Sequence, residues 1–213
     1  MDEQGAEVLK LLAAERDPDL DAAVRLALAD AEFRAALRDG VVSKNEVYRY
    51  NCFRVLLRIS ESQPAVLYPD WEGFVALLGS DNAFHRSIGL QVIANLVSAD
   101  VDRRFDALFD RYFALLDDDK VMVARYLAQS AGRIAKAMPD LRARITERLL
   151  DVACTHHEHK DLVKTDVIQA FAEYAEDYPD KARILAFVEQ QLDSTSPKTR
   201  KAAKEFLRTL GRA

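Results

Sequence analysis

A basic residue recurs along the chain at nearly constant intervals, and each copy opens the same pattern of apolar side chains. The successive intervals are 37, 39, 39 and 36 residues, between Arg49, Arg86, Arg125, Lys164 and Arg200. After each of these marker residues, apolar or small side chains fall mostly at offsets +2, +3, +6, +7 and +10. At 100° per residue these offsets share one side of a helix, so each copy predicts a helix with one buried face.

The copies differ in ways that bear on packing. Asn51 and Asp166 place a polar side chain at offset +2, and small residues stand at +3 and +7 after Arg125, where neighbouring helices could approach closely. A second apolar segment precedes each later marker, as in residues 105–116 before Arg125. The repeat therefore predicts a hairpin of two antiparallel helices, with the second helix beginning near the marker.

Pro-Asp pairs punctuate this pattern, at Pro18-Asp19, Pro69-Asp70, Pro139-Asp140 and Pro179-Asp180. Proline ends a preceding helix, and aspartate can cap the helix that follows. Residues 2–30 contain two further apolar-striped segments, which predict helices that cover the open end of a stack of repeats.

The composition suits a helical protein that stays away from membranes. Of 213 residues only 7 are glycine and 6 are proline, whereas 49% are hydrophobic. No segment reaches the roughly 18 uncharged apolar residues of a membrane-spanning helix. The N-terminus is acidic, unlike a signal peptide, and the two cysteines are far apart in sequence. We therefore expect a cytoplasmic chain with reduced cysteines and no membrane partner.

The repeat resembles that of the HEAT family and its armadillo-type relatives, in which an aspartate lies in the turn inside a helical hairpin and an arginine comes early in the second helix. Asp81 with Arg86 fits this pattern well, and Asp119 with Arg125 fits it loosely. The resemblance covers residues 31–213. It implies an all-α, right-handed α-solenoid of about four to five antiparallel hairpins, forming one domain over residues 1–213 with residues 1–30 as N-terminal capping helices.

The resemblance also implies a binding surface, because the second helices of such a stack line a concave face. Offsets +1 and +5 lie opposite the buried stripe, and tyrosine and arginine are favoured at protein interfaces. We therefore expect a non-catalytic scaffold or adaptor, without a cofactor or metal, that binds a protein or peptide partner through Tyr50, Arg54, Gln91, Tyr126 and Arg133.

A second hypothesis is nucleic-acid binding through the C-terminal segment, whose basic residues are Lys198, Arg200, Lys201, Lys204, Arg208 and Arg212. The net charge of -5 argues against it. At offsets +1 and +5 only Arg54 and Lys201 are positive, whereas the HEAT-like alkylpurine DNA glycosylases would need a basic concave surface. A solvated terminal helix is the preferred interpretation, and nucleic acid ranks below a protein partner.

A third hypothesis is a metal-dependent enzyme that uses the cluster of His156, His157 and His159 near Cys154. Cysteine and histidine are metal ligands, but adjacent side chains rarely converge on one ion. The HEAT-type deoxyhypusine hydroxylases hold two irons with His-Glu pairs in several repeats, and His157-Glu158 has no counterpart in the other repeats. No phosphate-binding loop or nucleophile motif occurs. We therefore expect a polar, solvated turn here.

Overall fold

The computed structural model describes residues 1–210, which form helices and contain no strand. The fold is the predicted all-α class, built from antiparallel helical hairpins. The helices group into two compact units, Met1–Ala99 and a second that begins at Asp100, while a single domain over residues 1–213 stays a prediction. Among residues 1–210, no helix has both the length and the apolar character needed to cross a bilayer.

The first unit consists of α1 (Glu3–Ala14), α2 (Leu20–Ala29), α3 (Ala31–Gly40), α4 (Glu46–Ser62), α5 (Pro64–Leu67), α6 (Trp71–Leu77) and α7 (Ala83–Leu96). Helix α3 pairs with α4, and α6 pairs with α7. Both α1 and α2 pack on α4. The buried Asn51 fixes α1 there, because its Nδ2 donates to two carbonyls at the C-terminal end of that helix, at 2.9 and 2.8 Å.

The second unit consists of α8 (Arg104–Ala114), α9 (Val121–Ala137), α10 (Arg142–Leu150), α11 (Lys160–Ala172), α12 (Ala182–Gln190) and α13 (Pro197–Leu210). Helix α11 packs against both α9 and α13. All five marker residues lie within the first five residues of a second helix, in α4, α7, α9, α11 and α13. The second helices predicted from the repeat are thereby confirmed.

The marker arginine holds the turn that precedes its helix. In three repeats its Nη1 donates to the carbonyl of a serine six residues earlier; the pairs are Arg49–Ser43 at 2.8 Å, Arg86–Ser80 at 2.8 Å and Arg200–Ser194 at 2.6 Å. A charged donor satisfies a turn carbonyl that helix hydrogen bonds leave without a partner. The interaction accounts for the marker arginine in these three copies, whereas Arg125 pairs with Asp166 and Lys164 with Asp161.

The Pro-Asp pairs act as predicted only in part. Asp19 caps α2, accepting two backbone N–H groups at 2.9 and 3.3 Å. Asp70 instead accepts a hydrogen bond from Arg38, and Asp140 accepts one from Arg103 at 3.1 Å. Each of these arginines belongs to the preceding hairpin, so the aspartates join neighbouring repeats rather than cap a helix.

Aromatic side chains form the buried side of α8. Phe109 is 1% exposed, and its ring centroid lies 4.7 Å from that of Phe113 and 6.1 Å from that of Phe105. On α9, the small residue at offset +7 allows the predicted close approach. A Cβ at Gly132 would lie 3.0 Å from the backbone oxygen of Ala170 on α11, too near for an ordinary contact.

The two cysteines differ in their exposure, which predicts a difference in reactivity. Cys52 is fully buried in α4, and burial raises the pKa of its thiol to about 12, whereas Cys154 is exposed. Since the thiolate is the nucleophile, iodoacetamide at pH 8 should label one cysteine per native chain and both in denaturant. Mass spectrometry counts the adducts, and Cys154→Ser should abolish native labelling. Equally fast labelling of both thiols in the folded protein would contradict the burial of Cys52.

Candidate binding surface

The exposed side of α4 brings two predicted residues together. Tyr50 is 49% exposed, and the guanidinium carbon of Arg54 lies 5.6 Å from the centroid of its ring. The Nη2 of Arg54 also lies 3.3 Å from Oδ1 of Asp17, which precedes α2. A cation over an aromatic face adds about 0.5–1 kcal/mol at exposed sites. The pair therefore presents an ordered aromatic ring and a directed guanidinium to solvent.

Beside Tyr50 lies a cavity of about 500 Å³, lined by Arg16, Glu46, Val47, Arg49, Tyr50, Asn51 and Phe84. The guanidinium carbon of Arg49 stands 5.3 Å from the centroid of the Phe84 ring. No local sequence pattern indicates this cavity, because Arg16 precedes Tyr50 by 34 positions. Guanidinium and aromatic groups around one cavity suit an acidic or aromatic side chain of a partner.

Gln91 is less exposed than its offset in the repeat predicts. Apart from this residue, α7 is buried from Arg86 onward, and Gln91 itself is half-buried. Its amide nitrogen donates to the carbonyl of Ser87 on the same helix, at 3.1 Å. The side chain therefore lies along the helix, and only its amide oxygen and one amide N–H remain for a partner.

On α9 the predicted residues lie on one exposed line with two neighbours. Tyr126 and Arg133 are half-buried, and Met122 and Gln129 are exposed on the same face. The Nη2 of Arg133 donates to the buried Ser130 Oγ at 3.2 Å, whereas its Nε is buried without a partner among the described residues. Arg133 is thus partly used within its own helix, and Tyr126 is the freer anchor.

The exposed face of the second helices is narrower than the repeat predicts. Ser87, Ser130 and Thr165 occupy offsets +1 or +5, yet they are 4%, 0% and 1% exposed. A second helix packs against its own first helix and also against second helices beside it, which buries more of its circumference than one stripe. Thr165 shows the effect directly, because its Oγ1 lies 2.9 Å from Oγ1 of Thr199 on α13.

Polar side chains link α9 to α11. Asp166 is 1% exposed and accepts hydrogen bonds from Arg125 Nε at 2.7 Å and from Gln129 Nε2 at 3.1 Å. The hydrogen bond that Arg125 donates to the Asp166 carboxylate raises the pKa of the guanidinium. Further along, Lys136 Nζ lies 3.3 Å from a Glu173 carboxylate oxygen. In the sequence, Asp166 is only a polar residue at an apolar position of the repeat. In the structure it accepts the hydrogen bonds that link α9 to α11.

The histidine cluster is not the fully solvated turn that was expected. His157 is 6% exposed, and its Nε2 lies 3.1 Å from the carbonyl of Leu116, in the turn one repeat earlier. His156 is exposed, and its backbone N–H and Nδ1 lie 2.8 and 2.7 Å from Oδ1 of Asp117. The backbone hydrogen bond is the largest cause of the lowered pKa of Asp117. Within residues 1–210, no three histidine, cysteine or acidic side chains converge as metal ligands.

The basic C-terminal helix carries a short positive stripe. Lys201, Lys204 and Arg208 are exposed on one side of α13, while Arg200 donates to the preceding turn. Arg212 lies outside the described residues. Three cations over about two turns form a smaller positive surface than a nucleic-acid groove usually presents.

No protein-family model matches the sequence, and a comparison with curated proteins gives no match either. Solved structures do match. An engineered protein from the Northeast Structural Genomics Consortium is 17% identical with a TM-score of 0.61, over 100% of both chains. A designed armadillo repeat protein is 15% identical with a TM-score of 0.58, over 98% of this chain and all of its own. The archaeal HEAT-like repeats protein of Thermococcus onnurineus NA1 is 15% identical with a TM-score of 0.50, over 100% of this chain and 98% of its own.

Proposed function

We propose that this chain, whose fold is that of the HEAT and armadillo repeat proteins, is a non-catalytic scaffold or adaptor that binds a protein or peptide partner. The observation that carries the proposal is the exposed Tyr50 ring, held by Arg54 beside the cavity on α4. Tyrosine and arginine supply large contact area and directed hydrogen bonds, and they are enriched where binding energy concentrates. The binding residues are Tyr50, Arg54, Gln91, Tyr126 and Arg133.

The helices that carry these side chains support the proposal. Their opposite faces are buried in the core, so the exposed residues sit on a fixed backbone and little conformational entropy is lost on binding. Both cysteines are free thiols, which fits a protein that is located in the cytoplasm and meets its partner there. Within the set, Tyr50 and Tyr126 are the main anchors, because Arg54, Gln91 and Arg133 already hydrogen-bond within their own helices.

The test is capture of the partner from the native cell, identification by mass spectrometry, and measurement of its affinity for variants. Arg54→Glu reverses a charge and Tyr126→Ala removes an aromatic anchor. Each should weaken binding by about 1–3 kcal/mol, equivalent to roughly 5- to 150-fold in Kd. Neither change removes a core contact, so both variants should melt within a few degrees of the wild type.

The matched control is Lys201→Glu with Lys204→Glu, which alters the basic stripe of α13 and should leave the affinity within twofold. Loss of the partner with the α13 changes alone would place the binding site on the terminal helix. Binding of short RNA by the wild-type protein, abolished by the same changes, would favour the nucleic-acid hypothesis instead.

A further inference from the structure

A second recess lies in the other unit, between α11 and α13. Its volume is about 620 Å³. Ile168 and Phe206 form a buried apolar floor, Ala172 and Ala202 form its walls, and the exposed Glu176 and Glu205 stand at its edges. We name this recess the α11–α13 groove.

The groove lies where the polar cross-links of the preceding repeat are missing. Between α9 and α11, Gln129 at offset +4 donates to Asp166 at offset +2 of the next copy. The same two offsets between α11 and α13 hold Ile168 and Ala202. An amide and a carboxylate that bridge the two helices are thus replaced by an isoleucine and a methyl group, which leave the space between the helices open and apolar.

The second cross-link is replaced in the same way. Lys136 at offset +11 pairs with Glu173 at offset +9 of the next copy, with 3.3 Å between nitrogen and oxygen. The corresponding residues one repeat later are Ala175, which is buried, and Thr209. Ala175 follows the end of α11 and Thr209 lines the groove, so the second ion pair also has no counterpart beside the groove.

The charge at the edges of the groove is negative. Neither Glu176 nor Glu205 forms a salt bridge with a described residue, although both are exposed. The basic stripe of α13, centred on Lys201 and Lys204, is turned from the groove side by roughly a third of a turn at 100° per residue. A ligand in the groove would therefore meet two carboxylates above an apolar floor.

We propose that the α11–α13 groove docks an amphipathic helix of a partner protein, with an apolar ridge on the floor and lysine or arginine beside Glu176 and Glu205. This inference rests on the proposed function, since it names the chemistry of a protein partner. From Ala202 to Leu210 the groove follows α13 for about 12 Å, at 1.5 Å per residue, which matches about two turns of a bound helix. Helix-in-groove recognition uses such apolar anchors at i, i+4 and i+7.

The test uses a fluorescein-labelled 14-residue peptide of leucine and lysine, with leucine on one helical face, and measures its fluorescence anisotropy against the full chain. A second peptide of the same composition, scrambled so that no apolar face forms, is the probe control. We expect the amphipathic peptide to bind at least tenfold more tightly than the scrambled one, because only it offers a ridge to the floor of the groove.

Two protein variants locate the binding. Glu176→Lys with Glu205→Lys should weaken the peptide at least tenfold, whereas Glu158→Lys with Glu189→Lys makes the same change in net charge outside the groove and should weaken it less than twofold. Ala172→Gln with Ala202→Gln fills the groove without changing the charge, and should weaken the peptide at least fivefold at an unchanged melting temperature. Ala172 is exposed and Ala202 half-buried, so these side chains have room.

Equal weakening by both charge-reversed pairs, or equal binding of both peptides, would overturn the groove proposal by showing attraction to negative charge alone. Such a result leaves the proposed function standing, because the capture experiment with Arg54 and Tyr126 variants does not involve the peptide. Conversely, a captured partner that is indifferent to Arg54 and Tyr126 but lost with the groove variants would support the groove and refute binding through the predicted residues of α4 and of α9.

Discussion

Phe109→Ala is expected to lower the free energy of unfolding by about 3–5 kcal/mol, the range for deleting a buried phenylalanine ring. The ring is 1% exposed, packs against Phe105 and Phe113, and has the Arg144 guanidinium carbon 4.0 Å from its centroid. Truncation removes these contacts and leaves a cavity, which the surrounding side chains can close only in part. Urea unfolding followed by circular dichroism measures the loss.

Ile93→Ala provides the companion measurement in the first unit, since Ile93 is fully buried on α7, and should cost about 3 kcal/mol. Ala107→Ser, on the exposed side of α8, is the control and should change the stability by less than about 0.5 kcal/mol. Losses below about 0.5 kcal/mol for both core variants would mean that neither side chain packs in the core.

Arg125→Met is expected to lower the free energy of unfolding by about 3 kcal/mol, because it leaves the buried carboxylate of Asp166 without its charged partner. Asp166→Leu should cost less, since the Arg125 side chain is 31% exposed and its guanidinium can turn to water. Combining the two changes should recover much of the loss, because no isolated charge then remains in the interior. A double-mutant cycle by urea unfolding gives the coupling energy.

The exposed pair Lys136–Glu173 is the internal control for that cycle. Its lysine is 55% exposed, so Lys136→Met should cost less than about 1 kcal/mol. Additive losses for Arg125→Met and Asp166→Leu, with no recovery in the double variant, would show that the cross-link between α9 and α11 contributes nothing beyond its separate side chains.

The sequence predicts much of the fold because the repeat carries two periods at once. The interval of 36 to 39 residues gives the hairpin, and the offsets after Arg49, Arg86 and Arg125 give the buried stripe of each second helix. Both follow from local geometry: 3.6 residues per turn, and an apolar face that a single hairpin cannot bury. The exposure of Tyr50 follows from the same periodicity, so one part of the candidate surface was available without a structure.

Other parts of the surface depend on neighbours that the periodicity does not describe. Second helices also pack side by side, which buries some residues at offsets +1 and +5 that the repeat predicts to be exposed: Ser87, Ser130 and Thr165. The cavity beside Tyr50 is lined in part by Arg16, which lies in the connection between α1 and α2. The α11–α13 groove is lined by Ile168 on one helix and Ala202 on the other. Aligning the repeats would have pointed to these last two positions, but it could not show that they face each other.

The sequence by itself therefore determined where the second helices begin and which side of each is apolar, whereas the tertiary structure decided which side chains meet. The ion pairs show the difference: Arg54 pairs with Asp17, Arg148 with Asp110 and Arg183 with Glu147, at separations of 37, 38 and 36 residues. Each arginine has several acids at about one repeat's distance in sequence. The rotation and offset between successive hairpins select one of them, and these depend on the packing of many side chains at once rather than on any local pattern.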